Sequence, residues 1–445
     1  MAGQVEPESM PAGIRNELLF IGDVHLGRRP VGIDEALSGL SLSPRELSPA
    51  AALRNTVDQA IANPPRAVVF AGDLVDQDDD RFEAYEVLER EVTRLAKAGI
   101  PVVAIAGNHD GVVLPRLIER VEGVRLLGAN GVWERWEVPG DGRPIDLIGW
   151  SFPRRHFAQN PLDHGEFSKV FASVRSGATV IGVLHADLDA GSSNYAPVSR
   201  TRLEGTGLDA WFLGHVHKPH DLSGPRPIGY LGSLVGLDVG ESGPRGAWRV
   251  NVTEAGVQSQ QQRAEPIRWE YIDVELIERD CEDVEGVHLA IENRLREWTR
   301  SNDSLNEEFL RVLVARVRLT GELVDRKRPR ELVAESQKRM LTFTSDEVPI
   351  IVQRVRDDTH DVVDLKLLAE EHSPVGYIAQ HILNLENGAG TEELERAKAR
   401  IQVVVNGGWN VDDEDYPLPS SNELLQRAAR RVLSTLLEQR REVGA

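Results

Sequence analysis

The residues of this chain that are best suited to metal chemistry lie in five short segments within the first half of the sequence. Each segment follows a short apolar run of the kind that forms a buried strand. Aspartate, asparagine and histidine supply the polar side chains. The segments are Asp23-Val24-His25, Gly72-Asp73-Leu74-Val75-Asp76, Gly107-Asn108-His109-Asp110, His185 and Gly214-His215-Val216-His217.

This mixture of carboxylate, amide oxygen and imidazole suits a pair of divalent ions such as manganese, iron or zinc. In an Asp-x-His or His-x-His pair, alternate residues of an extended strand end point the same way, so both side chains can reach one site. Two ions about 3.5–4 Å apart need a shared carboxylate, and Asp73 is the natural candidate. Glycines at positions 72, 107 and 214 let the backbone turn sharply as each strand ends.

Taken singly, each segment also has a structural explanation. Asp23 and His25 could belong to an ordinary turn, and His185 could be a hydrogen-bonded core histidine. All five segments, however, follow candidate strands, and chance is a poor explanation for that arrangement. The set therefore predicts one site built from several strand ends.

The elements that must position these segments alternate between strands and helices, which is typical of a layered α/β domain. One helix is expected to begin at Pro49 with Ser48 as its N-cap, and another to end at Gly99. The predicted strands are Leu18–Gly22, Ala67–Ala71, Val102–Ala106, Asp146–Gly149, Val180–Leu184 and Ala210–Leu213.

The pattern changes near residue 265, which predicts further domains. We expect a flexible leader over residues 1–16 and the α/β domain with the five segments over 17–265. A smaller α+β domain is expected over residues 266–365, and a helical region over 366–445.

The composition restricts the classes of function. The 445 residues carry a formal net charge of −20, which argues against a protein that coats nucleic acid through its overall field. The single cysteine, Cys281, excludes an intrachain disulfide and a cysteine-based zinc site and fits a reducing compartment. No apolar run reaches the roughly 18 residues that cross a bilayer. A cytoplasmic protein without a membrane partner or signal peptide is expected.

The order of the five segments resembles the calcineurin-type metallophosphoesterase superfamily. Residues 23–27 resemble the DxHLG start of SbcD-type DNA exonucleases, the bacterial relatives of the eukaryotic meiotic-recombination nuclease. Residues 230–233 resemble the YPGS motif of that family, and residues 310–321 resemble the first core strand of its DNA-capping domain. The resemblance implies a sandwich of two sheets flanked by helices, an α+β capping domain and a helical C-terminal region.

The resemblance also implies roles for individual residues. Asp23, His25, Asp73 and His217 would hold a first metal ion, whereas Asp73, Asn108, His185 and His215 would hold a second. His109 would face the scissile phosphate and assist the leaving oxygen, and Asp76 would orient His109. Manganese is the expected metal, with iron, magnesium or zinc as alternatives.

The activity implied is a two-metal DNA exonuclease that works 3'-5' on duplex DNA, with endonuclease activity on single strands, in DNA repair or recombination. An SbcC-like SMC-type ATPase and a second copy of the chain are candidate partners. An acidic protein must grip DNA locally. The candidate DNA-binding residues are Arg28, Arg29, Arg154, Arg155, Lys218, Arg316, Arg318 and Lys327.

Two other functions stay open at this point. One is a phosphodiesterase or phosphatase for nucleotides or other small molecules, although such substrates do not require the second domain. The other is a scaffold that has kept the fold and lost catalysis. The presence of every expected ligand and of His109 argues against that scaffold.

Overall fold

The computed structural model describes residues 16–76, 81–164, 166–302, 305, 308–336, 340–344, 348–389, 391–406 and 420–443. All but the last residue of the expected 1–16 leader lies outside this described part. The chain forms two compact units. The first contains residues 1–268 and 303–312, and the second contains residues 269–302 and 313–445.

Two sheets form the framework of the first unit. Their strands are β1 (Glu17–Ile21), β2 (Val68–Ala71), β3 (Val102–Ile105), β4 (Val124–Leu126), β5 (Glu134–Glu137), β6 (Ile145–Trp150), β7 (Thr179–His185), β8 (Ala210–Gly214), β9 (Ile228–Tyr230), β10 (Ala247–Thr253) and β11 (Gly256–Gln262). One sheet has the order β11-β10-β1-β2-β3-β4, and the other has the order β5-β6-β7-β8-β9. Strands β1 to β4 pair in parallel, as do β6 to β9.

A shared hydrophobic core joins the two sheets of the first unit. It contains Leu18 and Phe20 of β1 together with Ile181 of β7 and Phe212 of β8, all essentially buried. The ring centroids of Phe20 and Phe212 are 4.6 Å apart. Because parallel strands covered on both faces need apolar residues throughout, these strands show uninterrupted apolar runs.

The helices of the first unit are α1 (Asp34–Gly39), α2 (Pro49–Ala62), α3 (Arg81–Lys97), α4 (Val113–Ile118), α5 (Phe167–Ala172) and α6 (Arg200–Glu204). Helix α2 has Pro49 at its first position and Ser48 as its N-cap. Gly99, just beyond α3, has a φ of 74°, the left-handed conformation that commonly ends a helix.

The second unit combines a sheet with a group of helices. Its strands are β12 (Ile267–Glu275), which begins in the first unit, β13 (Val312–Thr320), β14 (Glu322–Leu323), β15 (Leu341–Thr344), β16 (Pro349–Asp357) and β17 (His360–Asp361). The main sheet has the order β12-β13-β16-β15, and β14 pairs with β17. The helices are α7 (Val284–Ser301), α8 (Lys327–Ser336), α9 (Leu365–Ala369), α10 (Pro374–Glu386), α11 (Glu392–Asn406) and α12 (Ser421–Val443).

The predicted α/β class, the two sheets and the helical C-terminal region are confirmed. All six predicted strands of the first half exist, and their ends agree to within one residue. The sequence patterns did not predict the short edge strands β4, β5 and β9. Among the described residues, no helix is long and apolar enough to cross a membrane.

Candidate metal centre

The five polar segments converge because each lies at, or directly after, the carboxyl end of a strand. Strands β1, β2 and β3 are parallel neighbours in one sheet, and β7 and β8 are parallel neighbours in the other. Three sets of described residues each bring ligand atoms within 4.8 Å of one another, and one of them is His25, Asp76 and His109. We call Asp23, His25 and His217 the first cluster, and Asp73, His185 and His215 the second cluster.

In the first cluster, the imidazole rings of His25 and His217 face each other through their Nε2 atoms. The Nε2 atoms of His25 and His217 are 2.9 Å apart. The Nδ1 atom of His25 lies 2.9 Å from a carboxylate oxygen of Asp76, and Nδ1 of His217 contacts the carboxylate of Glu241. A carboxylate only accepts, so each Nδ1 donates and each Nε2 presents a lone pair in the neutral ring. A cation satisfies two lone pairs that face each other in this way.

The second cluster has the same character. Nδ1 of His185 donates to the main-chain carbonyl of Ala71 at 3.2 Å, which leaves Nε2 as the acceptor. This Nε2 lies 2.9 Å from the side-chain oxygen of Asn108 and 3.3 Å from the carboxylate of Asp73. The Asn108 oxygen is also 3.0 Å from Nδ1 of His215. Oxygen and nitrogen acceptors crowded together suit a divalent metal, so the residues present fit the ions that the sequence implies.

Asp73 lies between the two clusters. One of its carboxylate oxygens is 3.3 Å from Nε2 of His185 and 3.9 Å from Nε2 of His25. Burial alone would raise the pKa of this carboxyl group, but the charge and hydrogen bond of His185 outweigh it and hold the pKa well below its usual range. Burial would lower the pKa of His185, yet Asp73 raises it to about 9 in the metal-free ring, so a bound metal ion would have to displace the Nε2 proton. Asp73 is therefore a carboxylate placed to serve both clusters.

His109 stands beside the first cluster with a partly exposed ring. Its Nδ1 atom lies 2.8 Å from the main-chain oxygen of Asp76, and its side chain is 34% exposed. Its main-chain N–H donates to the Asp73 carboxylate at 2.9 Å. The Nδ1 contact leaves Nε2 as the ring nitrogen that can exchange a proton with a bound molecule.

Asp76 contacts both His109 and His25. The carboxylate of Asp76, which was expected to orient His109, lies 3.9 Å from Nδ1 of that ring but 2.9 Å from Nδ1 of His25. The loops that follow β1 and β2 run side by side through a parallel bridge between Leu26 and Val75. This bridge brings the Asp76 side chain closest to His25, while its main-chain oxygen makes the shorter contact with His109.

The backbone at the candidate ligands is strained. Asp23, His25, Asp73 and His215 have φ angles of 28°, 51°, 47° and 108°, in the region that usually favours glycine. Such residues persist where the surrounding structure holds them, often at functional sites. Gly72 turns with a φ of 94°, and a Cβ atom at Gly107 would lie 2.1 Å from an Asp73 carboxylate oxygen.

Three carboxylates that the sequence interpretation did not assign support the ligands. Asp187 lies 3.1 Å from Nε2 of His215, and Glu241 contacts His217. Asp110 accepts the main-chain N–H groups of Gly107 and Leu74, both at 2.7 Å, and so joins two ligand loops. Burial and the nearby Asp73 raise the pKa of Asp110 to about 7. The Gly-Asn-His-Asp motif contained Asp110, whereas no motif marked the other two.

The candidate DNA-binding residues fall in both units. In the first unit, Arg28 follows the first ligand segment and lies 3.9 Å from carboxylate oxygens of Asp238 and Glu241. Exposed residues of the same unit are Arg29, Arg154, Arg155 and Lys218.

The candidate DNA-binding residues of the second unit lie on β13 and α8. Acidic or amide side chains already contact them. Arg316 donates to the side chain of Gln353 at 2.8 Å, and Arg318 donates two hydrogen bonds to Asp273. Lys327 lies 3.9 Å from a carboxylate oxygen of Glu331.

Comparison with known proteins agrees with this site. Residues 17–219 match the family model described as calcineurin-like phosphoesterase. This range contains every residue of both clusters and His109. That part of the chain is a calcineurin-like metallophosphoesterase domain, and its histidine and aspartate clusters fit divalent metal ions.

Particular relatives cover more of the chain. An uncharacterized metallophosphoesterase, YhaO of Bacillus subtilis, is 30% identical over 271 residues, which cover 59% of this chain and 64% of the relative. The DNA double-strand break repair protein Mre11 of Aeropyrum pernix is 27% identical over 72% of this chain and 77% of its own. The SbcD component of the nuclease SbcCD of Staphylococcus epidermidis is 25% identical over 52% of this chain and 66% of its own. The chain thus spans less than two thirds of the YhaO relative.

Proposed function

We propose that this protein is a metal-dependent phosphodiesterase that cleaves DNA as an exonuclease, 3'-5' on duplex DNA, with endonuclease activity on single strands. The observation that carries the proposal is the arrangement of two ligand clusters around Asp73 with the His109 ring beside them. The relatives named as a double-strand break repair protein and as part of the nuclease SbcCD support DNA as the substrate.

The geometry supports the proposed roles. Asp23, His25, Asp73 and His217 would hold one ion, and Asp73, Asn108, His185 and His215 would hold the other. When bound, two such ions lower the pKa of a coordinated water towards neutrality and neutralise charge on the phosphoryl oxygens. Manganese is the proposed metal. No side chain needs to form a covalent intermediate.

His109 is the proposed proton donor to the leaving oxygen. Its Nδ1 atom contacts the Asp76 carbonyl, so Nε2 is the nitrogen of this partly exposed ring that would transfer the proton. An imidazole can hold a proton and release it, so it can act as a general acid. Asp76 fixes His25 through its carboxylate and His109 through its carbonyl.

The direct test uses duplex DNA labelled at one end, with a phosphorothioate block at either the 3' or the 5' end. We expect shortened products with Mn²⁺, none with EDTA, and arrest by the 3' block. Hydrolysis of bis-p-nitrophenyl phosphate is measured in parallel. Rapid turnover of that small diester with intact DNA would overturn the nuclease proposal in favour of a small-molecule phosphodiesterase.

The cellular setting proposed is DNA repair or recombination in the cytoplasm, with an SbcC-like SMC-type ATPase as partner. The relative that is named as one component of the nuclease SbcCD supports this partner. A gene for an SMC-like ATPase next to the gene for this chain would support the assignment further. Co-expression of the two chains should then yield a complex on size-exclusion chromatography, and separate elution would contradict it.

A further inference from the structure

The turn formed by residues 237–245 holds His217 through its ring. Glu241 in this turn is buried, with 8% exposure. One of its carboxylate oxygens accepts from Nδ1 of His217, and the other accepts the main-chain N–H of Leu237 at 2.9 Å. Because both oxygens are engaged, the carboxylate has a fixed position behind the imidazole.

Arg245 holds the same histidine through its main chain. Its side chain is 2% exposed, and its guanidinium donates to three carbonyl oxygens. These belong to Glu241 at 3.1 Å, to Ser242 at 3.0 Å and to His217. The planar guanidinium can reach all three at once, which a lysine ammonium on a flexible stem does less well. The turn and the histidine are thereby locked to each other.

A carboxylate behind an imidazole has a definite effect on a metal ligand. It fixes the tautomer with the proton on Nδ1, orients the ring, and raises the basicity of Nε2. In His217 that Nε2 faces His25 across 2.9 Å, inside the first cluster. His185 of the second cluster is held by a neutral carbonyl instead.

We propose that Glu241 and Arg245 are positioning residues that prepare His217 for metal binding in the first cluster. This inference rests on the proposed function, in which His217 is a ligand of one of two ions. Neither residue is proposed to contact the substrate. Their substitution is expected to change the affinity for the ion that His217 would hold and to leave the affinity for the other ion unchanged.

The first test is titration of Mn²⁺ into metal-free protein by isothermal titration calorimetry. The wild type should bind two ions, whereas Glu241→Gln should bind one of them 10- to 100-fold more weakly (about the range for a lost outer partner) and the other unchanged. Arg245→Lys should weaken the same ion by a smaller factor. The control is Asp238→Asn, which removes a carboxylate of the same turn that caps Gly240, and it should match the wild type.

Retention of both wild-type affinities in Glu241→Gln would overturn the proposal. A second measurement does not require a substitution in the turn of residues 237–245. In the ¹⁵N-histidine NMR spectrum of the metal-free wild type, assigned with His217→Gln, His217 should carry its proton on Nδ1. The opposite tautomer would also overturn the proposal.

These readouts separate the inference from the proposed function. If Glu241→Gln loses one ion selectively while the wild type leaves DNA intact, the positioning role stands and the nuclease proposal fails. If the wild type cuts DNA and Glu241→Gln binds both ions normally, the reverse holds.

Discussion

The two units differ in whether their charged side chains are buried or lie at the surface. In the described part of the chain, the buried charged side chains all belong to the first unit, among them Asp23, Asp73 and His185. The buried polar residues of the second unit are Thr299, Ser336 and Thr359. Its arginines and carboxylates meet at the surface, as Arg318 and Asp273 do.

Buried and exposed charges differ in their energetic cost. Burying a charge is costly unless partners or a metal compensate it, so the buried charges of the first unit depend on the contacts around them. Exposed ion pairs contribute little to stability and can exchange partners. The buried charges of the candidate reaction site thus lie in the first unit, whereas the second unit keeps its ion pairs nearer the surface.

The strongest test of the comparison is Asp73→Asn. Because this carboxylate lies between both clusters, the variant should lose affinity for both ions by more than about 100-fold, and cleavage should fall to background. Metal content by mass spectrometry of the native protein and cleavage of labelled DNA measure the two effects. A variant that kept one ion at full affinity would contradict the bridging position.

His109→Ala should separate binding from catalysis inside the first unit. We expect two bound ions and a fall in cleavage rate of about 10²- to 10⁴-fold, the usual contribution of a proton donor. The rate is measured at saturating Mn²⁺, and the metal content is measured on the same sample. Loss of metal would show that His109 is a ligand.

Glu265 is a buried carboxyl group away from the candidate site, and its substitution measures how much a buried charge lowers the unfolding free energy. Burial raises its pKa to about 7, although Arg268 lies 3.5 Å away. Its folded pKa exceeds the unfolded one, so the stability it contributes is present below about pH 4.5 and is lost as pH rises through about 7. Relative to the wild type, Glu265→Gln should therefore gain about 3 kcal/mol between pH 5 and pH 8.

Urea unfolding followed by tryptophan fluorescence at several pH values measures this gain for Glu265→Gln. Glu254, whose side chain is 96% exposed, offers the control Glu254→Gln, which should show no such trend. Equal pH dependence in the wild type and Glu265→Gln would show that the carboxyl group is not perturbed.

The smallest effects are expected in the second unit. Arg318→Ala should change the unfolding free energy by less than about 1 kcal/mol, because its pair with Asp273 is exposed. If Arg318 contacts DNA phosphate, this variant should weaken binding and lower the salt slope by about 1. Asp273→Ala should strengthen binding instead, measured by fluorescence anisotropy. No change in either variant would argue against the DNA contact.

The sequence predicted the framework of the first unit well because that framework depends on local patterns. Uninterrupted apolar runs marked the central strands, and polar residues directly after them marked where the strands end. Residues such as Asp73 and His185 were therefore identifiable before any contact was known. Short edge strands such as β5, with no fully buried residue, lack that signal.

The supporting residues were harder to predict because they depend on how irregular loops meet. Glu241 contacts His217 across 24 residues, and nothing periodic connects the two positions. The side chain of Asp76 turned to His25 because of a single bridge between two loops. Sequence patterns mark the candidate ligands, whereas the loops decide which carboxylate contacts each imidazole.

The left-handed backbone at Asp23, His25, Asp73 and His215 lowers the stability of the fold at the residues that are the candidate metal ligands. Each such residue costs about 1 to 3 kcal/mol relative to one with a relaxed backbone. Glycine at Asp23 would relieve that cost and remove a ligand at the same time. Stability of the metal-free fold and metal binding therefore make opposite demands on the residue at position 23.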